Sequence, residues 1–330
     1  MEMERINNRH RLTFEKGKVG PIKGLLAIVI ILDHLSFSLQ ASVLDVFRVL
    51  GPPAVSLFLA FSAYGLYKSY LQKGAAYLKG FFKKRIWKVL LPALLATLLY
   101  YLILWNPNRS LLLDFRNTFM HGSPPLPQLW FVIEIIAFYL FFWVSFTLFG
   151  EKGIIGLVLG ALLIFAWTYS AGFGRNWWIT VLAFPTGAFV SKYERPLFAF
   201  CERSIIHWIA IEIVLGLFFV LLYLSGQPLL WTLCYVVIPV AGILFVAGLP
   251  RRIVDNRFLI FCGAISYELY LCHQIPIELY KVSRLAIVAD LPYALAVIAT
   301  SFVLAFLLHK FVSALSRHSI RRTAGVMPSS

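Results

Sequence analysis

The chain has 330 residues, of which 60% are hydrophobic and only 14% are charged. A soluble fold of this length cannot bury so much apolar surface, and soluble domains carry about 25% charged residues. Composition therefore excludes a soluble enzyme, a disordered chain and a disulfide scaffold. The net charge is +15, with Lys and Arg clustered between apolar stretches. This pattern indicates membrane topology rather than binding of nucleic acid.

Ten continuous apolar stretches are candidate spans, because a helix needs ~20 mostly apolar residues to cross a bilayer. We predict an all-α, polytopic membrane protein whose roughly ten transmembrane helices lie at 20–39, 50–70, 87–105, 128–149, 153–171, 177–190, 205–224, 229–248, 257–280 and 286–311. Residues 1–19 are predicted to be an N-terminal tail, 20–312 the membrane domain and 313–330 a C-terminal tail.

The distribution of basic residues predicts the orientation. With the N-terminus in the cytoplasm, 24 Lys and Arg residues fall on the cytoplasmic side and six on the outer side. An error in the number of spans would reverse every later loop and mix the two groups. Both tails are therefore predicted to be cytoplasmic, and the protein is predicted to lie in the inner or plasma membrane of the cell.

Ionisable side chains within spans are costly and usually functional. The predicted spans contain Asp33, His34, Glu134, Glu212, Glu268, His273 and Glu278. The topology places Asp33, His34, Glu134 and His273 in the outer halves of three different spans. These side chains are therefore candidates for one shared site.

Lys23 and His34 are expected to lie on one stripe of the first span. They are eleven positions apart, which is about three helical turns and ~16 Å along the axis. Lys23 lies at the cytoplasmic mouth and His34 lies deep, so a long ligand with an anionic head and a reactive tip fits this spacing. The alternative is that Lys23 is a flanking charge and His34 a packed polar residue.

Several other polar patterns have two interpretations. Ser266, Tyr270 and His273 share a helical face, either as an interhelical hydrogen-bond seam or as part of a reaction site. Trp130 is typical of an interfacial anchor. Arg85 and Lys88 suit either a bound phosphate or lipid headgroups.

The four cysteines have no metal-ligand spacing, and no nucleotide-binding motif occurs, so no metal and no tightly bound cofactor are predicted.

Five motifs in the right order, over about residues 18–315, make the chain similar to the acyltransferase-3 family of membrane acyltransferases. They are the Lys23-to-His34 pattern, the F-L-A-F-S-A-Y-G-L segment with Ser62, the Arg85-x-x-Lys88 pair before Pro92, the Trp130-Phe131 start of span four, and the segment from Ile265 to Pro276. The second motif departs from the family in having Ala63 where Gly is usual.

The resemblance implies transfer of an acyl group, usually acetyl, from cytoplasmic acyl-CoA to a hydroxyl of a lipid-linked or cell-surface glycan. The expected catalytic residues are His34, Glu134 and His273, and the expected acyl-CoA-binding residues are Lys23, Arg85 and Lys88. The expected supporting residues are Asp33, Ser62, Trp130, Ser266, Tyr267 and Tyr270. Some family members carry a fused esterase-like domain, and without one we expect transfer within the membrane domain or with a separate partner.

Two further points stay open at this level. His34 is suited either to act as a general base or to hold the acyl group covalently. The competing hypothesis is a transporter or flippase in which the same polar residues form a proton relay. The acceptor, the length of the acyl group and the oligomeric state are not predicted.

The predicted topology can be tested by cysteine labelling in intact cells. A cysteine introduced at Ser123 should react with a membrane-impermeant thiol reagent, because the loop before span four is predicted to be outside. A cysteine at Ser329 should react only after permeabilisation. The opposite pattern would contradict the depth assigned to every candidate site residue.

Overall fold

The computed structural model describes residues 12–39, 42–104, 110–282 and 289–324. The first eleven residues of the predicted N-terminal tail, residue 105 of the third predicted span, residues 286–288 of the tenth and the last six residues of the C-terminal tail lie outside the described residues. Within the described ranges the chain forms helices and turns and no strand, which confirms the all-α class.

The described chain forms sixteen α-helices. They are α1 Lys16–Ser38, α2 Gly51–Lys73, α3 Phe81–Ile103, α4 Leu111–His121, α5 Leu129–Phe149, α6 Gly153–Ser170, α7 Asn176–Ile179, α8 Ala183–Lys192, α9 Glu194–Cys201, α10 Ile205–Leu224, α11 Pro228–Gly248, α12 Arg251–Val254, α13 Arg257–Ala264, α14 Ser266–Cys272, α15 Gln274–Val282 and α16 Asp290–Ala324. Each predicted span coincides with one of these helices or with a consecutive broken set.

Six stretches of the described chain are long and apolar enough to cross a membrane, or seven if the bent helix around Ile265 is one span. One of the six, Leu129–Ser170, folds back on itself as α5 and α6. Gly156 of α6 packs on Ser145 of α5, and Gly160 packs on Phe141, as in an antiparallel pair. An all-α membrane protein is therefore confirmed, while the ten-span count and the cytoplasmic termini stay predictions.

Side-chain contacts give the relative directions of the helices. Tyr267 Oη donates to Val89 O and Tyr100 Oη donates to Glu278 Oε2, and both pairs are 178 residues apart. A constant separation is the pattern of parallel helices, so α3 runs parallel to α14 and α15. Glu268 pairs with His309, whereas Tyr293 bonds to Ile277 O, so α16 runs antiparallel to α14 and α15.

Helix α1 lies against α13 with no side chain between the two backbones. A Cβ atom at Gly24 would lie 2.5 Å from Gly263 N, and one at Gly263 would overlap Gly20 O. Gly24 and Gly263 are 239 residues apart, and so are His34 and His273. The register set by the glycines therefore brings the two histidines together ten residues further along both segments.

The ninth predicted span is broken twice. The chain bends by 61° between α13 and the following helical segment. Ser266 Oγ donates to Gly263 O at 3.0 Å, a local bond that competes with regular helix. Pro276 then supplies no N–H for the carbonyl of Cys272, and α14 ends at that residue. His273 lies between these helices and points away from the lipid, fully buried.

An aromatic core lies beside the candidate site and holds α3, α5 and α8 in place. Phe81 stacks on Phe142 with ring centroids 5.7 Å apart, and Phe138 stacks on Phe184 at 4.7 Å. All four rings are nearly or fully buried. They fix the face of α5 that meets the other helices.

Replacement of Gly24 by alanine should destabilise the protein and reduce its activity. The new Cβ meets backbone atoms, which cannot rotate away, so α1 and α13 must separate, at a cost of ~1–3 kcal/mol in the free energy of unfolding. Gly65→Ala is the matched control, since a Cβ there meets nothing within 4 Å. The measurement is thermal unfolding in detergent, and equal stability of the two variants would contradict the close-contact argument.

Candidate active site

Two adjoining cavities follow the stripe of α1 between Lys23 and His34. The outer cavity has a volume of about 440 Å³, and its walls include Asp33, His34 and Trp130. The inner cavity is narrower, about 160 Å³, and is lined mainly by apolar and aromatic side chains together with Lys23. Val55 and Tyr270 line both, so the two cavities are neighbours. We call the two cavities together the crevice; Lys23 lines its inner part and His34 its outer part.

The two histidines form the polar centre of this crevice. His273 Nε2 lies 3.2 Å from His34 Nδ1, and the rings meet edge to face. His273 Nδ1 lies 3.2 Å from Leu269 O. Because a carbonyl only accepts, Nδ1 carries a proton, and Nε2 of His273 faces both His34 Nδ1 and the Gln128 amide. The side chain of His34 is 33% exposed, so His34 is the member of the pair that a substrate can reach.

Gln128 joins the histidine pair to a longer polar network. Its amide Nε2 lies 3.1 Å from His273 Nε2, 3.4 Å from His34 Nδ1 and 3.2 Å from Gln274 Oε1. Gln274 in turn donates to Glu278 Oε1 at 3.1 Å. Tyr270 Oη donates to the backbone carbonyl of Gln128 at 3.1 Å, which holds the start of α5 in position.

Asp33 lies on the other side of His34. Its Oδ2 is 3.8 Å from His34 Nε2, on the ring edge opposite His273. Gly51, the first residue of α2, packs directly on the carboxyl group, and any Cβ there would overlap it. The positive end of the α2 dipole therefore faces this carboxylate. Asp33 does contact His34, although the two are adjacent in sequence and point in directions about 100° apart on the helix.

The inner end of the crevice carries positive charge. Lys23 is half-buried, and Arg85 lies near enough for the two like charges to interact. The Arg85 guanidinium also lies over the Tyr77 ring, 5.7 Å from its centroid. Neither Arg85 nor Lys88 lines either of the two cavities, and Lys88 is exposed. A pair of close cations is unfavourable without an anion between them, so this end suits a phosphate group.

The supporting residues predicted from sequence fall into two groups. Ser62, Ser266, Tyr267 and Tyr270 line the inner cavity, and Trp130 lines the outer one. Ser62 Oγ is 2.8 Å from Tyr139 Oη, and Tyr267 Oη donates to Val89 O at 2.8 Å. These bonds tie α2 to α5 and α14 to α3. The residues thus shape the walls of the crevice.

Glu134 makes no hydrogen bond to His34, although their predicted depths made them candidates for one shared site. Among the described residues, both carboxyl oxygens of Glu134 are buried without a hydrogen-bond partner. The polar contacts of the His34 ring are to His273, Gln128, Gln274 and Asp33. The depth of a residue follows from its place in a span, but the face on which it lies follows from packing. A catalytic role for Glu134 stays a prediction.

Sequence reasoning missed Gln128 and Gln274, which connect the histidines to the rest of the network. Ionisable side chains, and polar residues that share a helical face or match a family motif, stand out within spans, whereas an amide carries no charge. Yet a buried amide is also costly unless it is bonded. Gln128 is 1% exposed, and a glutamine at the start of an apolar span or directly after an intramembrane histidine is the signal that would have found the two residues.

Comparison with protein families decides the assignment. Residues 22–310 match the family model described as the acyltransferase domain of the acyltransferase-3 family. The chain belongs to this family of membrane acyltransferases. The match covers every residue of both cavities that was predicted from sequence. Neither the comparison with curated proteins nor that with solved structures gives a match.

Gln128→Leu should reduce acyl transfer strongly while leaving the fold intact. Leucine keeps the volume of glutamine but removes the amide that lies between the two histidines, and misplacement of a reacting group by ~1 Å costs ~10²-fold in rate. Gln227→Leu is the control, an equivalent change at the exposed start of α11. The measurements are turnover and thermal unfolding of both variants. Normal turnover of Gln128→Leu would show that the Gln128 amide has no role in acyl transfer.

Proposed function

We propose that this acyltransferase moves an acyl group, in the first instance acetyl, from cytoplasmic acyl-CoA to a hydroxyl of a cell-surface or lipid-linked glycan. The observation that carries the proposal is the crevice with Lys23 at its inner end and the His34–His273 pair at its outer end. CoA has an anionic head, a thin pantetheine arm and a thioester at its tip. A charged mouth, a narrow apolar middle and a polar end suit these three parts in order.

His34 acts as the general base in this proposal. When His34 Nδ1–H donates to the lone pair of His273 Nε2, His34 Nε2 is left as a proton acceptor that faces Asp33 and the outer cavity. His273 then fixes the tautomer and the ring orientation of His34. The carboxylate of Asp33 stabilises the imidazolium that forms when His34 takes up a proton.

The reaction is a direct acyl transfer between two substrates. His34 Nε2 removes the hydroxyl proton of the acceptor, and the acceptor oxygen forms a bond to the thioester carbonyl carbon. The carbon–sulfur bond breaks, the CoA thiolate leaves, and the imidazolium returns the proton to the sulfur. The products are an O-acyl ester and CoA. The outer cavity, with Trp130 beside His34, receives the acceptor.

A transporter or flippase is the second candidate, because buried histidines and carboxylates also form proton relays. The two functions differ in their chemistry. Purified acyltransferase should slowly release free CoA from acetyl-CoA in detergent, whereas a transporter should not. For the acceptor, surface-glycan mass spectra of cells with and without the gene should differ by the acetyl increment, and a succinyl increment would identify a different donor.

His34→Gln should abolish transfer without loss of folding or CoA binding. Glutamine keeps the size and the hydrogen bonding of the side chain but does not accept a proton at neutral pH, so the rate should fall by ~10²–10⁴-fold. The measurements are single-turnover transfer and CoA affinity of the purified variant. His273→Ala is the comparison, and its loss of activity should come with reduced thermal stability because the residue is fully buried. Near-normal turnover of His34→Gln would contradict the general-base role.

A further inference from the structure

A cavity remote from the histidine pair has the character of an anion site. Its volume is about 870 Å³, and it lies at the end of the molecule that the charge pattern assigns to the cytoplasm. Lys18, Arg251 and Arg252 line it together with Glu15 and Glu202, and Lys18 Nζ already donates to Ala247 O at 2.8 Å. Glu202 is already engaged, because its Oε1 accepts a hydrogen bond from the backbone N–H of Leu12 at 2.6 Å.

This cavity is separate from the crevice that ends at Lys23. Lys18 and Lys23 are five residues apart on α1, so their side chains point in directions about 140° apart. None of the residues that line the cavity lines the crevice as well. A ligand here does not occupy the acyl-CoA path.

Several hydrogen-bond donors at this cavity are unused within the described chain. Neither the side chain of Arg251 nor that of Arg252 makes a hydrogen bond or ion pair to another described residue. The buried indole Nε1 of Trp208 has no partner there either. Ser204 and Ile205 also line the cavity, so the positive end of the 20-residue helix α10 faces it. Such a set of donors and positive charge selects a phosphate.

The surface beside the cavity indicates what the phosphate is attached to. No residue of α10 is buried, although the helix is almost wholly apolar. A groove of about 340 Å³ runs between α10 and α11, past Gly216, Phe219 and Phe245. Trp208 of the cavity stacks on Phe245 of the groove, with ring centroids 6.3 Å apart. The phosphate site and the apolar groove are therefore neighbours along one helix pair.

Glu212 is a polar side chain in the wall of this otherwise apolar groove. It lines the groove one helical turn, or ~6 Å, beyond Trp208, and its Oε1 is buried without a partner among the described residues. In a phospholipid the ester carbonyls lie at about this distance from the phosphate. When Glu212 is protonated, its carboxyl group can donate a hydrogen bond to such a carbonyl.

We propose that this site holds one anionic phospholipid of the cytoplasmic leaflet. Its phosphate lies in the cavity against Arg251, Arg252 and Trp208, and one acyl chain passes over Phe245 into the groove beside Gly216. Free phosphate or a soluble nucleotide would use the cavity alone and leave the groove empty. The assignment does not depend on the acyl-transfer chemistry of the crevice.

Native mass spectrometry of the purified full-length protein, released from detergent with added lipid, tests the site. The wild type should retain one dioleoyl phosphatidylglycerol with a preference of ~10-fold or more over dioleoyl phosphatidylcholine, as expected for two basic side chains facing an anionic headgroup. The double variant Arg251→Gln, Arg252→Gln should lose this preference. Lys73→Gln, Lys79→Gln is the control, since it removes the same charge from exposed positions elsewhere on that side.

A second pair of variants tests the groove. Gly216→Leu fills it from α10, where a Cβ meets nothing within 4 Å, so the helix itself is not disturbed. It should reduce retention of the dioleoyl lipid severalfold, whereas Gly65→Leu, equally free of contacts, should not. Equal retention of the two lipids by the wild type, or an unchanged preference in the arginine variant, would overturn the proposal. Full retention by Gly216→Leu would show a phosphate site without a bound chain and would overturn the assignment to a phospholipid.

Discussion

The close contact between α1 and α13 is the constraint on which the candidate active site depends. Apolar side chains gain nothing by leaving lipid for another helix, so membrane helices associate through close packing and hydrogen bonds. Gly24 and Gly263 allow the two backbones to touch, and they set the register of the parallel segments. The 3.2 Å contact between His34 and His273 follows from that register. A bulkier residue at the glycine contact would push α1 and α13 apart and so displace the histidine pair, which lies ten residues further along both segments.

The second constraint is that polar groups in an apolar interior are costly unless they are hydrogen-bonded, and the polar network around the histidines provides these bonds. His273, Gln128, Gln274 and Glu278 satisfy much of one another's hydrogen-bonding capacity, which fixes their positions. His34 stands at the end of this network with one ring edge turned toward the outer cavity. A fixed network behind a single reachable nitrogen is an arrangement suited to proton transfer.

Sequence alone predicted the helices and the stripe from Lys23 to His34, because apolar length and the 3.6-residue repeat are local properties of the chain. It also placed His34 and His273 at similar depth, which the structure brings into contact. It did not predict the direction in which each side chain points, and Glu134 therefore makes no hydrogen bond to His34, although the two were predicted to lie at similar depth. The role of Gln128 could not be predicted from sequence for a different reason. Its partners come from α1, α14 and α15, and only folding brings them together.

The central claim is that acyl-CoA reaches His34 from the Lys23 end of the crevice. Affinity labelling with a haloacetyl-CoA tests this directly, because its electrophilic carbon takes the place of the thioester carbonyl group. The account predicts alkylation of His34, found by peptide mass spectrometry, protected by excess CoA and weakened in Lys23→Ala. Alkylation confined to residues outside the crevice, or labelling of His34 that neither CoA nor Lys23→Ala reduces, would contradict it.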